Sequence, residues 1–287
     1  MERFGSKRYL FLLPALAFTI LFAIYPLIYN TVLSFKDVTL ISLIQRTSQF
    51  IGLGNYKEVL KDSVFLHTAL NTLIFTVLSI FFQFIIGFLI ALLFNKDFPL
   101  RNLFLSLAML PWFIPILVSG TIFKFLFADA GMINNILLSL KLSSNVIPWI
   151  TSNMAIYSLT IVNIWLGIPF MFLLLYTGLK GIPEEVYEAA DIDGAISWKK
   201  TLYITVPLLK PVIITTLMLG TIFTIKAFDL VFIITGGGPG NSSHLFSTYS
   251  YFLAFDTFNF GLATAVSVIM ILIIIVVVGV LNLVKVE

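Results

Sequence analysis

Asn163, Gly167 and Phe170 are spaced i, i+4, i+7, so a helix through them presents all three on one face. An amide hydrogen-bonds hydroxyls, a glycine permits close approach, and an aromatic ring covers the apolar face of a pyranose. That stripe suits a sugar. It equally suits helix–helix packing, with the amide bonding to a neighbour and the glycine allowing contact. Lys226 and Asp229 are charges within an apolar run. Either one costs roughly 2.5–3.5 kcal/mol at a bilayer centre on insertion scales, so both are expected to face a cavity or a protein neighbour. Their three-residue separation lets them pair on one helical face. Asn71 and Gln83 are single amides best satisfied by a neighbouring helix, and Lys124 is placed to snorkel. No catalytic set accompanies these groups. His67 and His244 stand far apart without a carboxylate cluster, cysteine is absent, and there is neither a G-x-x-x-x-G-K-[ST] phosphate loop nor a serine–histidine–acid arrangement. The glycine cluster Gly236–Asn241 reads as an external turn. The chain is expected to hold no metal and not to be an enzyme by itself.

The elements that must position these residues follow from composition. Of 287 residues, 59% are hydrophobic and 11% charged, with a mean hydropathy of +1.05. Soluble domains carry about 25% charged residues. A bilayer is the solvent this composition needs, and a net charge of +3 is too small and scattered for nucleic-acid binding. Crossing roughly 30 Å of hydrocarbon takes about 20 apolar residues. Six runs qualify: 10–35, 68–94, 103–123, 155–179, 211–234 and 260–284. The first follows the basic start MERFGSKR, but it is far longer than a secretory signal core and reads as an uncleaved span. At about 1.5 Å per residue, Asn163 on span four and Lys226 on span five come to similar depths in the outer half. Lysines and arginines are denser in segments 1–9, 95–102, 180–210 and 285–287, which places both termini and the loop 180–210 in the cytoplasm.

That loop is the unusual one. Between Glu184 and Lys200 it gathers five acids and two lysines. Pro183 fits the first position of a helix, and Glu184 and Glu185 lie in its first turn, where the dipole favours acids. Val186, Ala189 and Ala190 fall on one face. Asp193-Gly194 breaks the helix, and Ser197 is placed to cap a second one ending near Pro207. A solvated linker needs neither two helices nor the small residues Ala189, Ala190, Gly194 and Ala195. The loop is expected to dock against a cytosolic partner.

Glu188-Ala189-Ala190, then Gly194, then Ile204-Thr205-Val206-Pro207, resembles the EAA loop of membrane subunits in binding-protein-dependent ABC importers, with Val206 where the usual form has Leu. The string GIPEEVYEAADIDGAISWKKTLYITVPLLKP is similar to the branch importing oligosaccharides and glycerol-3-phosphate. FIGLGNYKEVL, NIWLGIPFMF and ITGGGPGNSS followed by TYSYFLAFDTFNFGLATAVS extend the likeness over nearly the whole chain. The Gly-Gly-Pro stretch looks like that of the first permease subunit of the maltose/lactose/glycerol-3-phosphate group, and the chain resembles its shorter lactose-type or glycerol-3-phosphate-type form.

The resemblance implies an all-α integral membrane protein, a single permease domain over 1–287 with six transmembrane helices of the type I ABC importer fold and a coupling loop at 180–210. It places Glu184, Glu185, Tyr187, Glu188, Ala189, Ala190, Asp193, Gly194 and Ala195 at the contact with an ATPase. It also makes Asn163, Gly167 and Phe170 sugar contacts, joined more loosely by Phe223, Thr224, Lys226, Ala227 and Asp229. Lys226 and Asp229 depart from the amide-rich pattern of maltose-type chains. Implied partners are a second homologous permease chain, two cytosolic ATPase subunits that hold ATP and Mg, and an extracytoplasmic solute-binding protein. The chain itself is expected to carry no cofactor. The rival expectation is a self-contained ion-coupled transporter using Lys226 and Asp229 as its coupling pair. Within the importer reading, glycerol-3-phosphate is the alternative cargo.

Overall fold

The computed structural model describes residues 12–151 and 153–286. The basic start with Arg3, Lys7 and Arg8, the residue Leu10 and the side chain of Lys285 lie outside that description. The described residues are helical, with two short strands among them, and the chain's contacts divide it into two compact units, Met1–Phe65 with Tyr249–Ile269 and Leu66–Thr248 with Met270–Glu287.

In the first unit, helix α1 (Leu13–Leu33) contains a π-turn at Ile20–Ile24, and none of its apolar side chains is buried. Beyond it, strand β1 (Lys36–Asp37) pairs antiparallel with β2 (Gln49–Phe50) around helix α2 (Leu40–Gln45), whose start is closed by a Thr39/Ser42 capping box. Asn55, on helix α3 (Gly54–Val59), ties this ribbon together by donating to the carbonyls of Ser34 and Lys36, each at 2.8 Å. The Asp62 carboxylate accepts from Val64 N at 2.9 Å and from the Tyr249 hydroxyl. Burial, together with that carboxylate, pushes the Tyr249 pKa well above its ordinary value.

The second unit shows why a bilayer is the right solvent. Helix α4 (Ser63–Phe94) buries a polar face of Thr68, Asn71, Thr72, Ser79 and Gln83, while Leu70, Leu73, Val77, Phe81, Leu89 and Leu93 point outward. In water that arrangement is inside out. In lipid, apolar groups face the tails, and polar ones find partners between helices. Asn71 donates to the carbonyl of Ser242 at 2.8 Å, and Gln83 to that of Asn163 at 2.7 Å, so both amides serve neighbouring segments as expected. Gly87 brings α4 so close to helix α8 (Ala155–Lys180) that an added Cβ would lie 2.9 Å from Phe172 N.

Three expectations about the spans change. The third is not one rod: helices α5 (Arg101–Phe113) and α6 (Ile116–Leu126) are bent 91° from each other. Pro115 disfavours helical backbone at the preceding residue, and Ile114 is extended, at φ −81°, ψ 125°. Helix α7 (Met132–Ser139) follows. Span five begins earlier than position 211. After helix α9 (Glu184–Ile192), the turn leads into α10 (Ser197–Lys200), a π-turn at Thr201–Thr205, and α11 (Val206–Ile225) without a stop. Pro207 does not end the helix, because it falls in the first turn after the π-turn. Span five then breaks at 226–228 before helix α12 (Asp229–Ile234). Helices α13 (Phe246–Phe255) and α14 (Phe260–Val286) follow, so among the described residues up to six segments are long and apolar enough to cross a membrane if the bent pair counts as one. Lys124 does more than snorkel: its Nζ donates to the carbonyl of Ile233 at 3.2 Å, in the last turn of α12.

Candidate functional site

Two places in the second unit collect the residues singled out from the sequence. The first is a cavity of about 430 Å³. Its lining includes all eight of Asn163, Gly167, Phe170, Phe223, Thr224, Lys226, Ala227 and Asp229, brought together from α8, the end of α11, the break and the start of α12.

Two helix interruptions build the wall of this cavity. The 91° bend carries Pro111, Trp112, Ile114 and Ile116 into the cavity wall, and the break after Ile225 carries Lys226 and Asp229 there. Non-helical backbone at membrane depth is tolerated where it lines a cavity or is buried in protein. Trp112 was not singled out from the sequence, yet its ring stacks on Phe170 at 5.3 Å, and Phe170 in turn meets Phe223 edge-on at 5.5 Å. The signal for it was the double proline in LPWFIP (Leu110–Pro115), which marks a broken helix.

Gly167 is there for space. A Cβ built on it would sit 2.2 Å from Gln83 Nε2, so the amide of α4 lies directly over the glycine and also reaches the cavity wall. With Gln83 bonded to its backbone carbonyl, Asn163 keeps a side-chain Nδ2 that is buried and has no hydrogen-bond partner.

The expected Lys226–Asp229 pair does not form. Lys226 is the residue on which α11 ends, and Asp229 opens α12 across the break, so helical i, i+3 spacing does not apply. The only ion pairs among the described residues are Arg101–Asp97 and Lys200–Asp191. The Lys226 ammonium instead sits over the Phe223 ring, 5.0 Å from its centre.

The second place is the hairpin made by α9 and the turn into α10. Pro183 is the residue before α9 rather than its first, and Glu184 and Glu185 occupy the first turn. Gly194 is at φ +71° with nothing within 4 Å of an added Cβ, so its glycine is required by backbone conformation and not by a neighbour here. The turn is closed by Gly194 N to Asp191 O at 3.0 Å and Ala195 N to Ala190 O at 2.9 Å. Ile196, not Ser197, precedes α10, and no side chain caps it. Val186, Ala189 and Ala190 fall at helical spacing on α9 as expected, but their burial differs: Ala190 is buried within the chain, Val186 half-buried and Ala189 exposed. Glu184, Glu185, Glu188 and Asp193 are exposed as well, with Tyr187 and Ala195 half-buried. Tyr187 braces the hairpin to the π-turn through Thr205 Oγ1 at 3.0 Å, and Lys200 pairs with Asp191. At the tip, Ile192 is 88% exposed, an apolar residue with no cover in this chain.

Residues 83–285 match the model of a family described as binding-protein-dependent transport system inner membrane components. The chain is 35% identical over 256 residues to a trehalose/maltose transport system permease protein of Thermococcus litoralis, covering 88% of this chain and 83% of that one. It is 32% identical over 262 residues to the diacetylchitobiose uptake system permease protein of Streptomyces coelicolor, covering 90% and 80%. Its fold is similar to that of a chain in a bacterial ABC transporter involved in the import of the acidic polysaccharide alginate, with a TM-score of 0.83, 22% identity, and coverage of 98% of this chain and 95% of that one.

Proposed function

We propose, from the premise that this chain belongs to the family of binding-protein-dependent transport system inner membrane components, that it is one half of the translocation pathway of an ATP-driven sugar importer. The observation that carries the reading is the convergence of aromatic rings, the Asn163 side chain and two charges from several helices on one cavity. Rings lie against the apolar faces of a sugar while the polar groups meet its hydroxyls. The names of the two relatives, whose systems carry trehalose, maltose and diacetylchitobiose, support a saccharide cargo.

Power comes from elsewhere in this reading, since the sequence carries no phosphate loop. A second permease chain completes the pathway, an extracytoplasmic binding protein delivers the sugar, and two cytosolic ATPase subunits hold ATP and Mg. The hairpin of Glu184, Glu185, Tyr187, Glu188, Ala189, Asp193, Gly194 and Ala195 meets the ATPase, with both termini on the same side. A rigid, braced hairpin converts closure of the ATPase pair into rigid-body movement of the spans. Ala190, turned inward, supports the hairpin and does not make the contact itself.

Uptake by the complete importer in proteoliposomes tests this. A catalytically dead ATPase partner is expected to abolish sugar uptake, and dissipating proton and sodium gradients is expected to leave it unchanged. The reverse pattern would establish the ion-coupled reading instead. That reading draws less support from a Lys226 and Asp229 that make no ion pair.

A further inference from the structure

We infer that Lys226 and Asp229, held apart across the break in span five, form a donor–acceptor pair that reads hydroxyls of an uncharged sugar unit and sets the cavity against anionic ones. The inference rests on the proposed sugar-importer function and goes further, to which sugars pass. An ammonium only donates, and a carboxylate only accepts. Were the two on one continuous helix they would neutralise each other, but the break places one at the end of α11 and the other at the start of α12, both exposed and both lining the same cavity. The Phe223 ring holds the ammonium in place without using up its donors, because the ring face offers only its quadrupole. Asn163 lines the same cavity from α8, and a turn of its side chain would bring its Nδ2, buried and without a partner, to the cargo as a second donor.

A hydroxyl is both donor and acceptor, so a ring bearing several can satisfy all three groups at once. An anionic sugar cannot. Its carboxylate or phosphate would gain Lys226 but would meet Asp229 in the same small space, and it would lose its hydration against the rings of Trp112 and Phe170. Charge burial of that kind is costly unless the charge is fully paired. Glycerol-3-phosphate is disfavoured as cargo on the same ground.

The test uses intact cells carrying the complete importer, fed a mixture of neutral disaccharides (maltose, trehalose, lactose, N,N′-diacetylchitobiose), di- and tri-uronates and glycerol-3-phosphate. Depletion is read by mass spectrometry against cells lacking this chain. One or more neutral sugars are expected to be consumed and the anions spared. Consumption of an anion through this chain overturns the inference but leaves the importer reading standing; consumption of none of these compounds overturns the sugar-importer reading itself. At matched membrane abundance, Lys226→Met and Asp229→Asn are each expected to slow neutral uptake about tenfold, as loss of one or two hydrogen bonds would. Lys226→Arg, which keeps a donor and a charge, is expected to retain most uptake. In the double variant the two losses should multiply, because each side chain acts on the cargo and not on the other. Wild-type rates in both single variants, or a double variant no slower than either single, would sink the pair.

Discussion

The cavity and the charged hairpin are built on opposite plans. The cavity is assembled from residues as distant as Gln83 and Leu230, and some of the polar groups that line it are left unsatisfied: Asn163 Nδ2 has no acceptor, and Lys226 and Asp229 do not pair. The hairpin is one continuous segment whose turn bonds, Lys200–Asp191 pair and Tyr187–Thr205 bond are all made internally, while its acids and Ile192 face outward. Unmet hydrogen-bonding capacity suits a surface that must bind and release a passing ligand. Internal satisfaction suits a part that must transmit movement without deforming. Both lie in the same compact unit, so motion of one can reach the other through packed helices.

Substitutions separate the two plans. The largest effect is expected from Gly167→Leu, which drives a side chain into the space of the Gln83 amide. Overpacking costs about 1–3 kcal/mol, and breaking the Gln83–Asn163 bond adds about 1 kcal/mol. A lower melting temperature of the purified complex and loss of uptake should appear together; unchanged melting would show that α4 and α8 are less tightly joined than the geometry requires.

A smaller and more selective effect is expected from Gly194→Pro. Proline holds φ near −65°, not the +71° found here, and it removes the N–H that bonds Asp191 O. Destabilisation confined to the turn, at more than about 1 kcal/mol, should lower binding-protein-stimulated ATP hydrolysis several-fold while membrane insertion and melting of the spans persist. Full stimulation would detach the hairpin from coupling and leave the cavity as the one functional region of the pair.

The smallest is expected from Tyr187→Phe, which removes only the brace to Thr205. About 0.5–1.5 kcal/mol is at stake, so stimulated hydrolysis should fall by a factor of a few with sugar affinity intact. A change in affinity without a change in hydrolysis would reverse the roles assigned to the two regions.

The hairpin was largely legible beforehand because its determinants are local. Acids in a first turn, a glycine in left-handed backbone and a following helix are set by near neighbours in the chain. Where local reading failed, a competing local feature won, as when the π-turn at Thr201–Thr205 let the helix pass Pro207. In the cavity the same reading found Asn163, Gly167, Phe170, Lys226 and Asp229 but misjudged how two of them relate. Residues 226–229 have the local pattern of continuous helix, and the place of Trp112 depends on a bend between two helices.

Composition and the lengths of the apolar runs alone placed this chain in a bilayer with six expected spans, because the length and hydropathy of a span answer to the thickness of the lipid. The residue strings carried the family likeness. Tertiary structure alone decided which face of each helix is lined, which amides are consumed by neighbours, and that Lys226 and Asp229 share a wall without touching. Those outcomes depend on where helices break and how closely glycines let them approach, and such distances are set between segments, not along one.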